Sequence, residues 1–419
     1  MEIRVEHITR VEGHGNIMAS LREGKIERAI FEVVEANRFF EALVVGRDWE
    51  EVCHITPRIC GICALSHSCV SLQATEAALG IDVSEQTRLL RRLIMDAEII
   101  SSHALHAYFL AAPDFLGLQS VVPLIDKDPE TVARAFRLKK GGYELGEVVV
   151  GRHTHPIGSV PGGFTSLPKV SALEEIRNRM IELRPDMAAT VELYQTLQLP
   201  AFERPTRYIS LRRPDYYALY DGDIVCSDGT STPAPRYRES LHEYTVSHST
   251  AKHATWGGDI YMVGALARVN NNWQQLRPEA QQAMKALGLK PPCQNPFMNT
   301  VAQVVEMVHC LEDGIVLVEE LLGRELVDDW EPGIEPQPGL GVGVVEAPRG
   351  LLIHEYEFDE RGRCTKANCV IPTGQNLANL DADMHGYAAQ ISDRPEAEIQ
   401  QGLEMLVRAY DPCISCSVH

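Results

Sequence analysis

Arg58–Cys63 reads RICGIC and Asp411–Cys416 reads DPCISC, which puts one CxxC pair near each end of the chain. Two residues between thiolates let both sulfurs face one metal, and Gly61 supplies a tight turn inside the first pair. Four thiolates suit a soft or borderline ion such as zinc, nickel or iron. A structural zinc site is the plain reading of such a quartet, yet a zinc ribbon sets its pairs only about 15–20 residues apart. Here Cys63 and Cys413 are 350 positions apart (413 − 63), so a shared metal would join the two ends of a fold large enough to form its own core. A thioredoxin-like redox pair is the other reading of either motif alone, but neither lies between the strand and helix of a small βαβ unit. His67 follows Cys63 by four residues and His419 follows Cys416 by three, so each pair carries an imidazole able to hydrogen-bond a thiolate or bind another ion.

Composition narrows the classes. With 45% hydrophobic and 23% charged residues the 419-residue chain has an ordinary globular balance. Its length allows two or three units of common domain size, and we expect one body over 1–419. The net charge of −19 argues against a phosphate-binding surface and so against nucleic acid. No apolar run approaches the roughly 20 residues of a membrane span. Even Val304 to Leu322 is interrupted by Glu306, His309, Glu312, Asp313, Glu319 and Glu320. The opening MEIRVEHITRVEGHG has no basic region followed by an apolar one, which makes a cytoplasmic location the expectation. Eleven cysteines are too sparse for a disulfide scaffold and read first as thiols or metal ligands.

Periodicity predicts an α+β fold, predominantly helical, with a small N-terminal sheet over 2–35 and a long-helix bundle in a helix-rich body over 84–419. IRVEHI, NIMASL and KIERAIFEVV read as strands separated by Gly13, Gly15 and Gly24. Leu89, Leu90, Leu93, Ile94, Ala97, Ile100, Ala104 and Leu105 recur at helical spacing, with Ser84 as cap and Pro113 as stop. Ser171 and Glu174 suggest a capping box ahead of a helix to about Leu197, broken at Pro185. Val304–Leu322 reads as a buried helix, and the last helix is expected from near Arg394 to before Pro412. HPIGSVPGGF from His155 and EPGIEPQPGLGVG from Glu331 read as loops, the first as a turn on which a partner packs. GLGVGV at Gly339–Val344 lacks the third glycine and the βαβ context of a dinucleotide loop.

RICGICALSH and DPCISCSVH together resemble the two signature motifs of nickel-iron hydrogenase large subunits. TRVEGHG at Thr9–Gly15, EAPRG at Glu346–Gly350 and CVIPT at Cys369–Thr373 add three more matches in the family's order, spanning nearly the whole chain. The resemblance implies the family's large-subunit fold, with Cys60 and Cys413 binding nickel terminally and Cys63 and Cys416 bridging nickel and iron. It also implies carbon monoxide and cyanide on the iron, in a pocket provided by Arg349, Thr373 and the adjoining Pro348, and a hydrogen bond from His67 to a bridging sulfur. H2 is a very weak acid, so its heterolysis needs a Lewis-acidic centre with a base close by. By resemblance Cys413 is that base, Glu12 relays the proton outward, and Arg349 overhangs the open metal face or forms a structural pair with Asp411. Glu41, His419 and the Cys369 carbonyl match ligands of a magnesium-type ion, for which iron could substitute.

Cys53, Cys69, Cys226, Cys293, Cys310, Cys364 and Cys369 have no spacing that assembles an iron-sulfur cluster and read mostly as buried small hydrophobes. The resemblance therefore implies that electrons leave through an iron-sulfur small subunit, with further electron-transfer subunits beyond it. A chain ending at His419 looks like the family's processed form. Ser102 stands where many members carry an Asp over the metals, and PTGQN at Pro372–Asn376 differs from the commoner form with Trp, which together suggest a distinct branch. The FFEA segment at Phe39–Ala42 and the compact length resemble the cytoplasmic multisubunit enzymes. Two alternatives stand beside catalysis of H2 oxidation or proton reduction. One is a regulatory H2 sensor; the other is a hydrogenase-like structural subunit of a respiratory complex, a relative that typically lacks the four thiolates.

Overall fold

Alternating apolar residues near the N-terminus fold as the pattern predicts. In the computed structural model, which describes residues 1–22, 25–330 and 333–419, Glu2–Val5, Gly15–Arg22 and Lys25–Val33 form an antiparallel sheet in that order. Gly24 and Glu331, expected in a turn and at a loop start, lie outside the described residues. Ile17, Ala19, Phe31 and Val33 face the core, and the sheet packs on the helix Pro372–Gln390.

Long helices make the centre. Glu85–Leu105 starts at Ser84, whose hydroxyl accepts the Thr87 N–H, and packs against Pro129–Val150 and Met298–Leu322. Pro113 does not stop this run. The chain continues through a π-helical turn, His106–Ala111, into Ala112–Phe115, where Pro113 sits in a first turn that needs no donor from it. Met298–Leu322 begins six residues before the expected Val304, because Asn299 to Gln303 are already buried. The Ser171–Glu174 capping box is not formed. Helix Val170–Glu182 begins one residue earlier, after Lys169 and without a side-chain cap, so Ser171 already lies inside the first turn. Pro185 does break the run, in the first turn of Arg184–Thr196. Glu396–Ala409 ends before Pro412 as expected, but it is not the last helix, since the short turn Ile414–Ser417 follows Cys413.

The body beyond residue 84 holds more sheet than the periodicity suggests. Tyr261–Met262, Arg207–Arg212, Asp223–Cys226 and Ser231–Thr232 form a mixed four-stranded sheet, and Gly339–Ala347, Gly350–Phe358 and Cys364–Val370 an antiparallel one. GLGVGV is thus a strand, and its glycines have a packing reason. A Cβ at Gly339, Gly341 or Gly343 would lie 2.0, 2.0 or 2.2 Å from the carbonyl oxygens of Ala78, Ala74 and Val70. Every second residue of a strand advances about 6.8 Å and every fourth residue of a helix about 6 Å, so the bare glycine face can follow the helix Ala64–Leu79 backbone to backbone. That helix begins at Cys63.

Gly343→Val is therefore expected to destabilise the protein by about 3 kcal/mol through overpacking, read by denaturant unfolding. Leu340→Thr, on the exposed face of the same strand, is the control, and equal stability of the two variants would contradict this packing account.

Candidate metal centre

The two CxxC segments meet. Cys60 follows the 3₁₀ turn Thr56–Ile59, Cys63 precedes helix Ala64–Leu79, and Cys413 and Cys416 flank the start and body of the turn Ile414–Ser417. Cys60 Sγ lies 3.6 Å from Cys413 Sγ, Cys63 Sγ lies 3.8 Å from Cys416 Sγ, and all four sulfurs fall within 4.8 Å of one another. A disulfide would need about 2.05 Å. Four metal–sulfur bonds of about 2.3 Å in a tetrahedron give sulfur–sulfur edges of about 3.8 Å, which is the spacing seen. All four side chains are buried. Hydrogen bonds from the other three thiols, aided by the Arg349 charge, hold Cys60 well below the usual thiol range, whereas burial pushes Cys413 up to about 11 and raises Cys416 as well. Four thiolates packed this closely need a cation to balance them.

Backbone contacts fix the two loops in register. Glu12 and Cys413 form a parallel bridge, Ile414 N donates to Glu12 O at 2.9 Å, and the half-buried Glu12 carboxylate accepts from Ser415 N at 3.0 Å and from the Ser415 hydroxyl. Gly13 follows with φ +87°, and a Cβ there would meet Ile414 Cβ at 2.7 Å, so this TRVEGHG glycine is needed for both conformation and contact. The Arg38 guanidinium donates to Ile59 O at 2.6 Å and to Ser415 O, tying one cysteine loop to the other. Thr373 Oγ1 accepts the Cys413 N–H at 3.0 Å. Glu98 accepts the Leu65 and Ser66 N–H groups at 2.7 and 3.0 Å and so caps the helix that Cys63 opens; burial pushes its carboxyl up to about 8.

Beside the sulfurs is a small cavity of about 10 Å³, with Ala347, Leu352, Ile371 and Pro372 as its apolar wall and Arg349 and Thr373 as its polar part. Arg349 Nε and Nη2 bind Asp411 O at 2.9 Å and Asp411 Oδ1 at 3.0 Å, while its buried Nη1 has no partner among the described residues. A donor left free on an apolar cavity fits small acceptor ligands on a metal. The Arg349–Asp411 pair read from the sequence is thus present, and Asp411 itself holds φ +50°, strain placed just before Pro412 and Cys413. Pro348 does not line the cavity; its carbonyl accepts from Arg268 Nη2 at 3.0 Å. Arg268, fully buried, also binds Glu306 at 2.6 Å and Glu346 at 3.1 Å, which supports the EAPRG loop from behind.

His67 reaches the same cavity, but its Nδ1 lies 3.2 Å from His354 Nε2, and His354 Nδ1 lies 2.5 Å from the Tyr356 hydroxyl. Among the described residues its hydrogen-bond partner is that histidine rather than a sulfur. Ser102 is buried, and its hydroxyl has no partner among the described residues. Glu41 and His419 also converge: Glu41 Oε1 lies 3.3 Å from His419 Nε2, accepts the Cys369 N–H at 2.9 Å and stands 3.5 Å from Lys252 Nζ. Burial alone would raise the Glu41 carboxyl, yet His419, the Cys369 amide and Lys252 outweigh it and hold it at about 2. The contact between Cys369 and Glu41 runs through the Cys369 amide, in the same residue whose carbonyl is the expected ion ligand. Of the remaining cysteines all but Cys293 are buried. Arg38, Glu98, Arg268 and His354 escaped the sequence reading because each is a single polar residue outside any spaced motif.

Known proteins resemble this chain over nearly its whole length. The sequence profile described as nickel-dependent hydrogenase matches residues 38–145 and 214–419, and one described as HoxL-like matches residues 2–36. The chain is 35% identical to the alpha chain of sulfhydrogenase 1 of Pyrococcus furiosus over 422 residues, covering 100% of this chain and 98% of that one. It is 30% identical to the beta chain of the NAD-reducing hydrogenase HoxS of Cupriavidus necator over 464 residues, covering 99% and 94%. A crystal structure of an NAD+-reducing [NiFe]-hydrogenase in the H2-reduced state superposes with a TM-score of 0.89 at 28% identity, covering 100% of this chain and 99% of that one. The chain belongs to the nickel-dependent hydrogenase family, as a large catalytic subunit.

Proposed function

We propose that this subunit splits H2 heterolytically, or forms it, at a nickel–iron centre held by Cys60, Cys63, Cys413 and Cys416. The observation that carries the reading is the buried sulfur quartet at metal–thiolate spacing beside a cavity into which Arg349 offers a free donor. The four thiolates would hold nickel and iron, and Cys63, Cys413 and Cys416 line the cavity that would take carbon monoxide and cyanide. When bound, the centre supplies Lewis acidity and takes up electrons. The four cysteines also separate this chain from hydrogenase-like subunits with a structural role.

The protein's own groups handle the proton. Cys413 Sγ receives it, buried where solvent does not compete. Glu12 passes it on, because its backbone adjoins Cys413 while its half-buried carboxylate reaches outward through Ser415. Arg349, anchored by Asp411, orients ligands over the cavity, and Thr373 fixes the Cys413 amide. Pro348 contributes through the loop that carries Arg349, and His67 lines the cavity. Glu41, His419 and the Cys369 carbonyl would hold a second, magnesium-type ion, or iron, since one carboxylate and one imidazole converge there.

Electrons pass to an iron-sulfur small subunit. The HPIGSVPGGF turn is a fitting dock: His155 Nδ1 lies 3.1 Å from Pro57 O, just ahead of Cys60, and Ile157 is exposed. Relatives of similar identity are named for different reactions, which fits an electron acceptor chosen by further partner subunits. All eleven cysteines are free and no described helix is long and apolar enough to cross a membrane; a cytoplasmic location is part of this proposal.

Assay of H2-dependent dye reduction by the matured complex tests the function. Wild type is expected to turn over and Cys413→Ser to be inactive; nickel-loaded wild type without turnover, or full turnover in Cys413→Ser, would contradict the reading. Glu12→Gln, which can still accept the Ser415 N–H, is expected to lose about 10²-fold or more in turnover at unchanged nickel content, with part recovered in Glu12→Asp. Unimpaired Glu12→Gln turnover would mean that the proton leaves by another route.

A further inference from the structure

A second convergence of ligand-type side chains lies apart from the cysteine quartet and from Glu41. His253 opens the strand His253–Trp256, which pairs with Leu241–Tyr244; His248 sits in the connection between these strands; Asp381 projects from the helix Pro372–Gln390. One ligand atom from each lies within 4.8 Å of the others. Asp381 Oδ2 is 3.4 Å from His248 Nε2 and 3.7 Å from His253 Nε2, while Asp381 Oδ1 is occupied by the Phe31 N–H at 2.8 Å.

Among the described residues His248 Nε2 and both ring nitrogens of His253 are buried with no hydrogen-bond partner, and the His253 side chain is only 2% exposed. A neutral imidazole carries one donor and one acceptor, and leaving either unmet in the interior costs about 1–3 kcal/mol. Bonds of about 2.0–2.1 Å to a tetrahedral ion place nitrogen and oxygen ligands about 3.3 Å apart, close to the two separations measured.

We propose that His248, His253 and Asp381 bind a divalent transition-metal ion of the zinc or ferrous class. Two imidazoles and one carboxylate suit such ions and leave positions for water. His248 and Asp381 side chains are 20% and 19% exposed, which gives an ion a way in. The ion clamps three segments that serve the main centre: the N-terminal sheet through Phe31, the 241–256 hairpin, and the helix whose first turn carries Thr373. It has a structural role, with no step in H2 chemistry.

Zinc is the probe. The purified complex, given excess Zn²⁺ and then gel-filtered, is expected to retain one more equivalent of zinc per chain than His248→Ala or Asp381→Asn, with nickel content equal in all three. Equal zinc in wild type and both variants would overturn the proposal. Zinc K-edge absorption on wild type decides the matter even if a variant folds poorly: imidazole and oxygen ligation supports the site, and sulfur-only ligation or no retained zinc overturns it.

Discussion

Everything in this molecule is arranged around the need to bring four sulfurs from opposite ends of the chain into one dry site and keep them 3.6 to 3.8 Å apart along the paired edges. Thiolates at that distance repel, and burial opposes each charge, so the segments that carry them must be held by other contacts before a metal arrives. Main-chain pairing of Glu12 with Cys413, the Arg38 link between Ile59 and Ser415, and the Thr373 hydroxyl on the Cys413 amide do that holding. Farther out, the bare glycine face of Gly339–Ala347 lets the helix after Cys63 lie directly on a sheet.

Buried charge serves the same end. Arg268, without solvent contact, is shared by Glu306 and Glu346 and by the carbonyls of Ala347 and Pro348, so the loop presenting Arg349 is fixed from behind. Burial would raise Glu306, yet Arg268 and His103 bring it down to about 2, which keeps the pair ionised. Removing one member of such a pair costs about 3–5 kcal/mol, because the partner charge stays behind unpaired. Glu346 takes the other course, its burial pushing it up to about 7 despite Arg268. Rigid support of this kind leaves Arg349 with one donor uncommitted where a ligand can use it.

Glu12 and Arg349, with its pair to Asp411, came from the family resemblance, whereas motif spacing made the quartet legible, because CxxC pairs are short-range patterns that survive without knowledge of the fold. Helix existence was legible for the same reason. Caps and stops were less so: Ser171 and Pro113 both carry the right chemistry for an end, but packing of Val170–Glu182 and of the π-helical turn overrode local preference. The sheets beyond residue 200 were missed since their strands are short or, like GLGVGV, glycine-rich with no alternating apolar face. His248, His253 and Asp381 could not be read at all; 128 positions separate His253 from Asp381 (381 − 253), and a strand and a helix from different regions must meet before they form a cluster.

The central claim is that the four cysteines hold nickel and a diatomic-bearing iron. Infrared spectroscopy of the matured complex, with metal quantified on the same sample, addresses it most directly. The account predicts carbonyl and cyanide stretching bands with one nickel per chain. A sample carrying zinc in the quartet, free of nickel and of those bands, would contradict it.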